Sequence, residues 1–216
     1  MTLMTIITKM AVGLEKTCAI FFLTLLFAIP LGMIVALLRG SKIKIVSWIA
    51  KAYISVLRGT PLMLQLIAVT YGPYYLFGIS ISRNKLIPVV IAFAINYAAY
   101  FAEIYRSGIE AVPKGQYEAA KVLGYSRQQT FMKIVFPQMV RHTLPPVTNE
   151  IITLVKDTSL AYAIAYVEMF TLAKQVAAAQ SSIMALFVAG AFYYIFNLLV
   201  AYVMGRIEKK MNYYAK

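Results

Sequence analysis

The chain has 216 residues, of which 61% are hydrophobic and 13% are charged, and its mean hydropathy is +0.73. A water-soluble domain is nearer half apolar, so this composition excludes an ordinary soluble protein and indicates a membrane protein. The formal net charge of +13 comes from lysines and arginines between apolar blocks, which favours membrane orientation over nucleic-acid binding. One cysteine, Cys18, and one histidine, His142, exclude an internal disulfide and a metal site built on a cysteine or histidine cluster.

Five segments are candidate transmembrane helices, since a span needs about 20 mostly apolar residues. They are residues 17–38, 61–77, 86–109, 144–173 and 182–204. Residues 43–57 contain Trp48 and lie among lysines, and this pattern predicts an interfacial helix before the second span. Thr60 and Pro61 predict the start of that span, as its N-cap and first helical residue.

The fourth candidate span carries charged residues and is therefore the least apolar of the five. Pro145 and Pro146 predict its start, because proline is favoured at the first position of a helix. Further along, we interpret Asp157-Thr158-Ser159 as a break, where hydroxyl groups satisfy unpaired backbone groups.

The loop charges predict the orientation of the chain. The loops after the first and third spans and the region after the fifth carry most of the lysines and arginines. These residues are retained on the cytoplasmic side, so the N-terminus is predicted outside and the C-terminus inside. The predicted fold is an all-α membrane protein with five transmembrane helices, in one domain that covers residues 1–216.

The cytoplasmic segment between the third and fourth spans, residues 116–137, predicts two short helices. The first is expected to end at Gly124, because glycine tolerates the left-handed conformation at a helix end. Ser126 is a good N-cap for the second, and Gln129 completes a capping box. We expect this second helix to stop before Pro137, since proline disfavours helix at the preceding residue.

Two interpretations of this element are open. It either joins two spans and does nothing more, or it docks on a partner. For docking, Ala119, Ala120 and Leu123 would form a small apolar face that sits deep in a groove, and Glu118 would fix its angle through a charged contact.

The same element resembles the EAA signature of the permease subunits of ABC importers. The matching residues are Glu118-Ala119-Ala120, Gly124, Ile134 and Phe136-Pro137, with Phe136 where the family usually has leucine. The resemblance implies a coupling helix that docks in a cleft of a separate ATPase subunit through Glu118, Ala119, Ala120, Gly124, Ile134 and Pro137.

Other motifs resemble the polar amino-acid branch of that family, in its order and spacing. They are Arg58-Gly59-Thr60-Pro61-Leu62 with Gln65, Ala102-Glu103 with Arg106, Pro113-Lys114-Gly115-Gln116, Leu144-Pro145-Pro146 with Asn149, and Lys156-Asp157-Thr158-Ser159-Leu160. The resemblance implies amino-acid import by alternating access in the plasma (inner) membrane of a bacterium or archaeon. The implied partners are ATPase subunits that hold ATP and magnesium, a second permease chain (identical or a sister), and an extracytoplasmic solute-binding protein. No cofactor is expected on this chain.

Charged groups inside a bilayer cost about 2.5–3.5 kcal/mol each on insertion scales, so they tend to face a cavity or a partner. On a continuous helix, Glu150, Asp157 and Glu168 would share one stripe. An acidic stripe favours a cationic amino acid such as arginine, lysine or histidine, with glutamine or another polar amino acid as the alternative. The candidate pathway residues are Glu150, Asn96, Glu103, Asn149, Thr153, Asp157 and Tyr71.

Glu150 is the first choice among them, because it has no obvious partner on its own helix. Glu103 has an alternative role, an ion pair with Arg106 three residues further along the helix. Lys156 points away from the stripe and is expected to pair with an acid on a neighbouring span.

Rival functions fit the sequence less well. No G-x-x-x-x-G-K-[ST] loop occurs, so the chain is not expected to hydrolyse ATP itself. A membrane enzyme would need a nucleophile with a base, or a metal cluster, and we predict neither. A passive channel would explain polar faces within spans but leaves residues 116–137 without a purpose. Five spans are too few to enclose a solute path, so we expect a two-fold pair of permease chains, for example a homodimer.

Overall fold

The computed structural model describes residues 2–79 and 84–212, and every regular element in these ranges is helical. The α-helices are α1 (Leu3–Arg39), α2 (Lys44–Gly59), α3 (Leu62–Phe77), α4 (Leu86–Glu110), α5 (Lys114–Val122), α6 (Arg127–Thr130), α7 (Phe136–Asp157), α8 (Met169–Gln180) and α9 (Met184–Asn212). A π-helical turn, Phe131–Val135, precedes α7, and a 3₁₀ segment, Thr158–Ile164, follows it. Two of the charges counted for the predicted orientation lie outside the described residues: Arg83, in the loop between the second and third predicted spans, and Lys216, after the fifth.

Three of the described helices are long and apolar enough to cross a membrane: Leu3–Arg39, Leu86–Glu110 and Met184–Met211. They correspond to the first, third and fifth predicted spans. The second corresponds to α3, whose 16 residues extend about 24 Å, less than the roughly 30 Å of a bilayer core. Together α2 and α3 pass the same length and hydropathy test, but they bend by 110° at the residues between them.

The position of α2 corrects the prediction of a helix that is only interfacial. The Tyr53 hydroxyl donates a hydrogen bond to the backbone carbonyl of Ile95, near the middle of α4. The second half of α2 therefore packs at mid-depth along α4 rather than at its end. The start of α3 also differs by one residue, since Pro61 is the N-cap and the Thr60 hydroxyl accepts from the Gln65 side chain instead.

The fourth predicted span is broken. The helix α7 ends at Asp157, which confirms the predicted break, and the chain continues as the 3₁₀ segment before α8 begins. The predicted start at Pro145 and Pro146 is wrong, because both prolines lie inside α7. Each proline leaves the carbonyl four residues earlier without a helical partner. Those carbonyls belong to Arg141 and His142, which are exposed and can be hydrated.

Close helix contacts hold the bundle around α4, the most buried of the long helices. Its main neighbour is α1, where Gly32 lies against Phe101, so that a Cβ at Gly32 would come within 2.7 Å of the Phe101 Cβ. At the other end of α1, a Cβ at Gly13 would lie 2.6 Å from the Cα of Met169 in α8. Small residues permit such close approach. Between helices in lipid, the resulting van der Waals contacts supply the packing energy, because there is no hydrophobic driving force between the helices.

Candidate solute pathway and docking element

A cavity of about 550 Å³ lies where the C-terminal half of α4 faces α7 and the end of α2. Its polar lining comes from Arg58, Tyr100, Glu103, Arg106, Ser107, His142, Thr143 and Glu150. Two of the predicted pathway acids, Glu103 and Glu150, are therefore brought together from different helices.

The two acids in the cavity have different partners. Glu103 forms an ion pair of 2.5 Å with Arg106, which also pairs with Glu110 on the same helix. The expected ion pair of Glu103 is thus confirmed, and its carboxylate is held by Arg106 within α4. Among residues 2–79 and 84–212, neither Glu150 nor Arg58 takes part in a salt bridge. Glu150 is thus the acid of the cavity lining that forms no salt bridge in the described part of the chain.

Arg58 was not identified as a pathway residue from the sequence, where its motif is interpreted as a helix start. In the structure its guanidinium lies 5.1 Å from the centre of the Tyr100 ring and lines the same cavity as Glu150. The signal in the sequence is an arginine directly before Gly59-Thr60-Pro61, because non-helical backbone at membrane depth is tolerated only where it is buried in protein or lines a water-filled cavity.

Asn96, predicted to face the pathway, is instead locked in a buried network. It is 4% exposed, and its amide nitrogen donates to the Gln65 side chain at 2.9 Å and to the Leu57 carbonyl at 3.1 Å. Those partners belong to the joint between α2 and α3. The structure therefore assigns Asn96 to helix packing and not to the cavity surface.

The remaining pathway candidates lie outside the cavity lining. The Tyr97 hydroxyl donates to the carboxylate of Asp157 at 2.7 Å, which ties the end of α7 to α4. Asn149 is exposed on α7, and its backbone carbonyl accepts from the Thr153 hydroxyl. Tyr71 is half-buried against the hydrophobic core. Lys156 is exposed and forms no salt bridge within the described part of the chain, so its expected pairing with an acid is not observed.

The predicted acidic stripe does not extend to Glu168. Because α7 ends at Asp157, Glu168 is not on the same helix as Glu150 and instead forms the N-cap of α8. It is fully buried, and its carboxylate accepts from the backbone nitrogens of Phe170 and Thr171 and from the Tyr193 hydroxyl. The carboxylate thus satisfies orphan N–H groups at a helix start. The stripe of three acids is wrong, and two members, Glu150 and Asp157, remain on α7.

The cytoplasmic element has the helical hairpin form that the sequence predicts. The helix α5 ends at Val122, and Gly124 has a left-handed φ of 76°. The nitrogen of Tyr125 donates to the carbonyl of Ala120 and that of Gly124 to Lys121, the pair of bonds of a Schellman motif. The predicted capping box of Ser126 and Gln129 is present. The Gln129 backbone nitrogen donates to the Ser126 hydroxyl at 3.2 Å, and the Ser126 backbone nitrogen donates to the Gln129 side-chain oxygen at 2.9 Å.

The exposed surface of this hairpin differs from the predicted small face. Ala120 is fully buried, so it does not belong to the exposed face, whereas Glu118 and Ala119 are exposed. The large apolar side chains at the tip are Val122, 87% exposed, and Leu123, 71% exposed. The main tertiary neighbour of α5 is α6, so the hairpin projects from the bundle. An exposed apolar tip of this kind is typical of a surface that another protein covers.

The second helix does not stop before Pro137, and that prediction is wrong. After α6 the chain passes through the π-helical turn Phe131–Val135 directly into α7. A proline in an α-helix clashes with the carbonyl four residues earlier. Here the wider turn gives room, because the Phe136 nitrogen donates to the Phe131 carbonyl five residues back. Ile134 is half-buried in this turn, and Pro137 is exposed in the first turn of α7.

Comparison with known proteins agrees with this architecture. The family described as "Binding-protein-dependent transport system inner membrane component" matches residues 28–213. The chain is 36% identical over 205 residues to the L-cystine transport system permease protein TcyB of Bacillus subtilis, covering 94% of this chain and 86% of the relative. It is 34% identical over 201 residues to the arginine transport system permease protein ArtQ of the same bacterium, covering 93% and 91%.

A solved structure is similar over nearly the whole fold. The crystal structure of an amino acid ABC transporter with histidines superposes with a TM-score of 0.85 at 30% identity, covering 94% of each chain. The chain belongs to the family of binding-protein-dependent transport system inner membrane components and is an ABC importer permease subunit of the polar amino-acid type.

Proposed function

We propose that this permease subunit carries a cationic amino acid, such as arginine, lysine or histidine, through the cavity between α4 and α7. The observation that supports this is the position of Glu150, which lines the cavity without a salt bridge, whereas Glu103 is paired with Arg106. A desolvated carboxylate gains most from a charge-assisted hydrogen bond to an ammonium or guanidinium group. Glutamine is the alternative solute, since relatives are named for solutes as different as L-cystine, nopaline, arginine and glutamine.

The proposed importer contains two permease chains, two ATPase subunits and an extracytoplasmic solute-binding protein. The hairpin of α5 and α6 is the proposed coupling element, with Glu118, Ala119 and Leu123 on the surface that meets the ATPase. ATP and magnesium would be held by that partner. The exposed polar side chains of α7, such as Asn149 and Lys156, are poorly suited to lipid and favour a second permease chain on that side.

A panel of amino acids tests the solute. We expect the assembled complex with its ATPase to hydrolyse ATP faster when arginine, lysine or histidine is added, and to respond weakly to glutamine. The measurement is the rate of phosphate release in proteoliposomes that also contain the binding protein. A complex stimulated by glutamine and not by the cationic amino acids would favour the alternative solute. Solute flux that does not depend on ATP would indicate a passive channel.

The proposed orientation places the N-terminus outside, the hairpin of α5 and α6 in the cytoplasm, and five spans between. It is testable by cysteine labelling in a Cys18→Ala background, which removes the native thiol. We expect a membrane-impermeant maleimide to label Ser82→Cys in intact cells and Tyr125→Cys only after the membrane is opened. Labelling of Ser82→Cys from the cytoplasmic side alone would contradict the five-span orientation.

A further inference from the structure

The joint between α2 and α3 lies at mid-depth of the bundle and is held by polar side chains. A helix that ends inside a bilayer leaves carbonyl groups that need hydrogen-bond donors. At the end of α2, the Gln65 amide nitrogen donates to the carbonyls of Leu57 and Thr60, at 2.9 and 3.1 Å, and to the Thr60 hydroxyl at 2.8 Å. One side chain from α3 therefore satisfies much of the broken end of α2.

A second side chain connects this joint to α4. The Asn96 amide nitrogen donates to the Gln65 side-chain oxygen and also to the Leu57 carbonyl. One turn earlier in α2, the Tyr53 hydroxyl donates to the carbonyl of Ile95, the neighbour of Asn96. The last two turns of α2 are thus fastened to adjacent positions on α4.

The residue after Leu57 is Arg58, and the joint sets where its side chain lies. With the Leu57 carbonyl held from two sides, Arg58 extends over the Tyr100 ring and into the cavity that Glu150 lines. The other cation in the lining, Arg106, is already paired with Glu103 and Glu110. Arg58 is therefore the arginine of the cavity lining that forms no salt bridge among the described residues.

An amino acid that enters this cavity brings an α-carboxylate, which also loses water and needs a cation. A guanidinium can bind a carboxylate through two parallel hydrogen bonds, which a lysine cannot do. Arg58 and Glu150 provide opposite charges in one cavity, as a solute with a carboxylate and an ammonium or guanidinium group requires.

We infer that Arg58 binds the α-carboxylate of the solute, and that Gln65 and Asn96 are positioning residues that hold the α2–α3 joint so that Arg58 reaches it. The inference rests on the proposed function in one respect, that the solute occupies this cavity. It does not depend on whether the solute side chain is cationic.

The test compares each amino acid with the amine that lacks its carboxylate. The pairs are arginine with agmatine and glutamine with 4-aminobutanamide, and binding is measured directly on the solubilised permease–ATPase complex without the binding protein. The pair used is the one whose amino acid binds more tightly to the parent complex. For that pair, Arg58→Gln should weaken binding of the amino acid by roughly tenfold or more and change binding of the amine by less than about twofold. The preference for the carboxylate is then largely lost.

Gln65→Leu and Asn96→Leu should also lower the ratio of amino-acid to amine affinity, because Arg58 is displaced while Glu150 stays. The matched control is Thr70→Val, which removes a hydroxyl that is buried in α3 with no hydrogen-bond partner in the described chain, and it should leave the ratio unchanged. A merely structural role for Gln65 or Asn96 would weaken both ligands equally and would overturn the positioning role.

An Arg58→Gln complex that still prefers the amino acid as strongly as the parent would overturn the role of Arg58. A parent complex that binds glutamine and not arginine would contradict the cationic solute, yet the glutamine pair would still test Arg58. A parent complex that binds no member of either pair would overturn both, because both place the solute in this cavity.

Discussion

Leu123→Asp should abolish solute uptake while the protein still inserts in the membrane. Leu123 and its neighbour Val122 are the most exposed apolar side chains of the hairpin, at the end of α5. If this tip enters an apolar groove of the ATPase, an aspartate there would bury an unpaired charge, which costs several kcal/mol and exceeds what a small interface can offset. The measurements are uptake in cells and co-purification of the ATPase with the permease.

The matched control is Leu123→Met, which keeps an apolar side chain of similar volume and should retain uptake and ATPase binding. Normal ATPase association of the Leu123→Asp protein would contradict the docking role of the hairpin. Substitutions at two predicted coupling residues are less clean tests. Ala120→Arg would disturb the hairpin itself, because Ala120 is fully buried, and Gly124→Asp would strain a left-handed backbone position.

Glu150→Gln should weaken binding of a cationic amino acid by roughly tenfold or more, because charged hydrogen bonds contribute about 1.5–3 kcal/mol. The substitution keeps the size of the side chain and removes its charge. Since Glu103 is paired with Arg106, it is not expected to replace Glu150. A neutral amino acid should be affected much less. The measurement is direct binding of arginine and glutamine to the solubilised complex without the binding protein.

A suitable control is Glu15→Gln, the same change at an exposed residue of α1 outside the cavity, which should leave arginine binding unchanged. Asp157→Asn is a poorer test, because the Asp157 carboxylate accepts the Tyr97 hydrogen bond that ties α7 to α4, and weakening this bond would lower every activity together. If Glu150→Gln binds arginine as well as the parent does, Glu150 is structural and the cationic solute is wrong.

Features that depend on neighbours in the sequence were predictable from it. Gly124 ends a helix because only a few residues tolerate a left-handed φ, and Ser126 with Gln129 caps the next helix through atoms three residues apart. The break after Asp157 is local in the same sense. The membrane class follows from composition, and the ion pair of Glu103 with Arg106 follows from helical spacing.

Features that depend on which helices meet were decided by the tertiary structure. Asn96 and Gln65 lie 31 positions apart, and spacing along one helix cannot show that they bond across the α2–α3 joint. Pro145 and Pro146 begin a helix by local preference, yet α7 continues through them because it is packed against α4 and α9. Glu168 does not share a stripe with Glu150, because the helix ends at Asp157 and a break changes the direction of every side chain beyond it. Arg58 lines the cavity because of the bend between α2 and α3, which determines where its guanidinium lies.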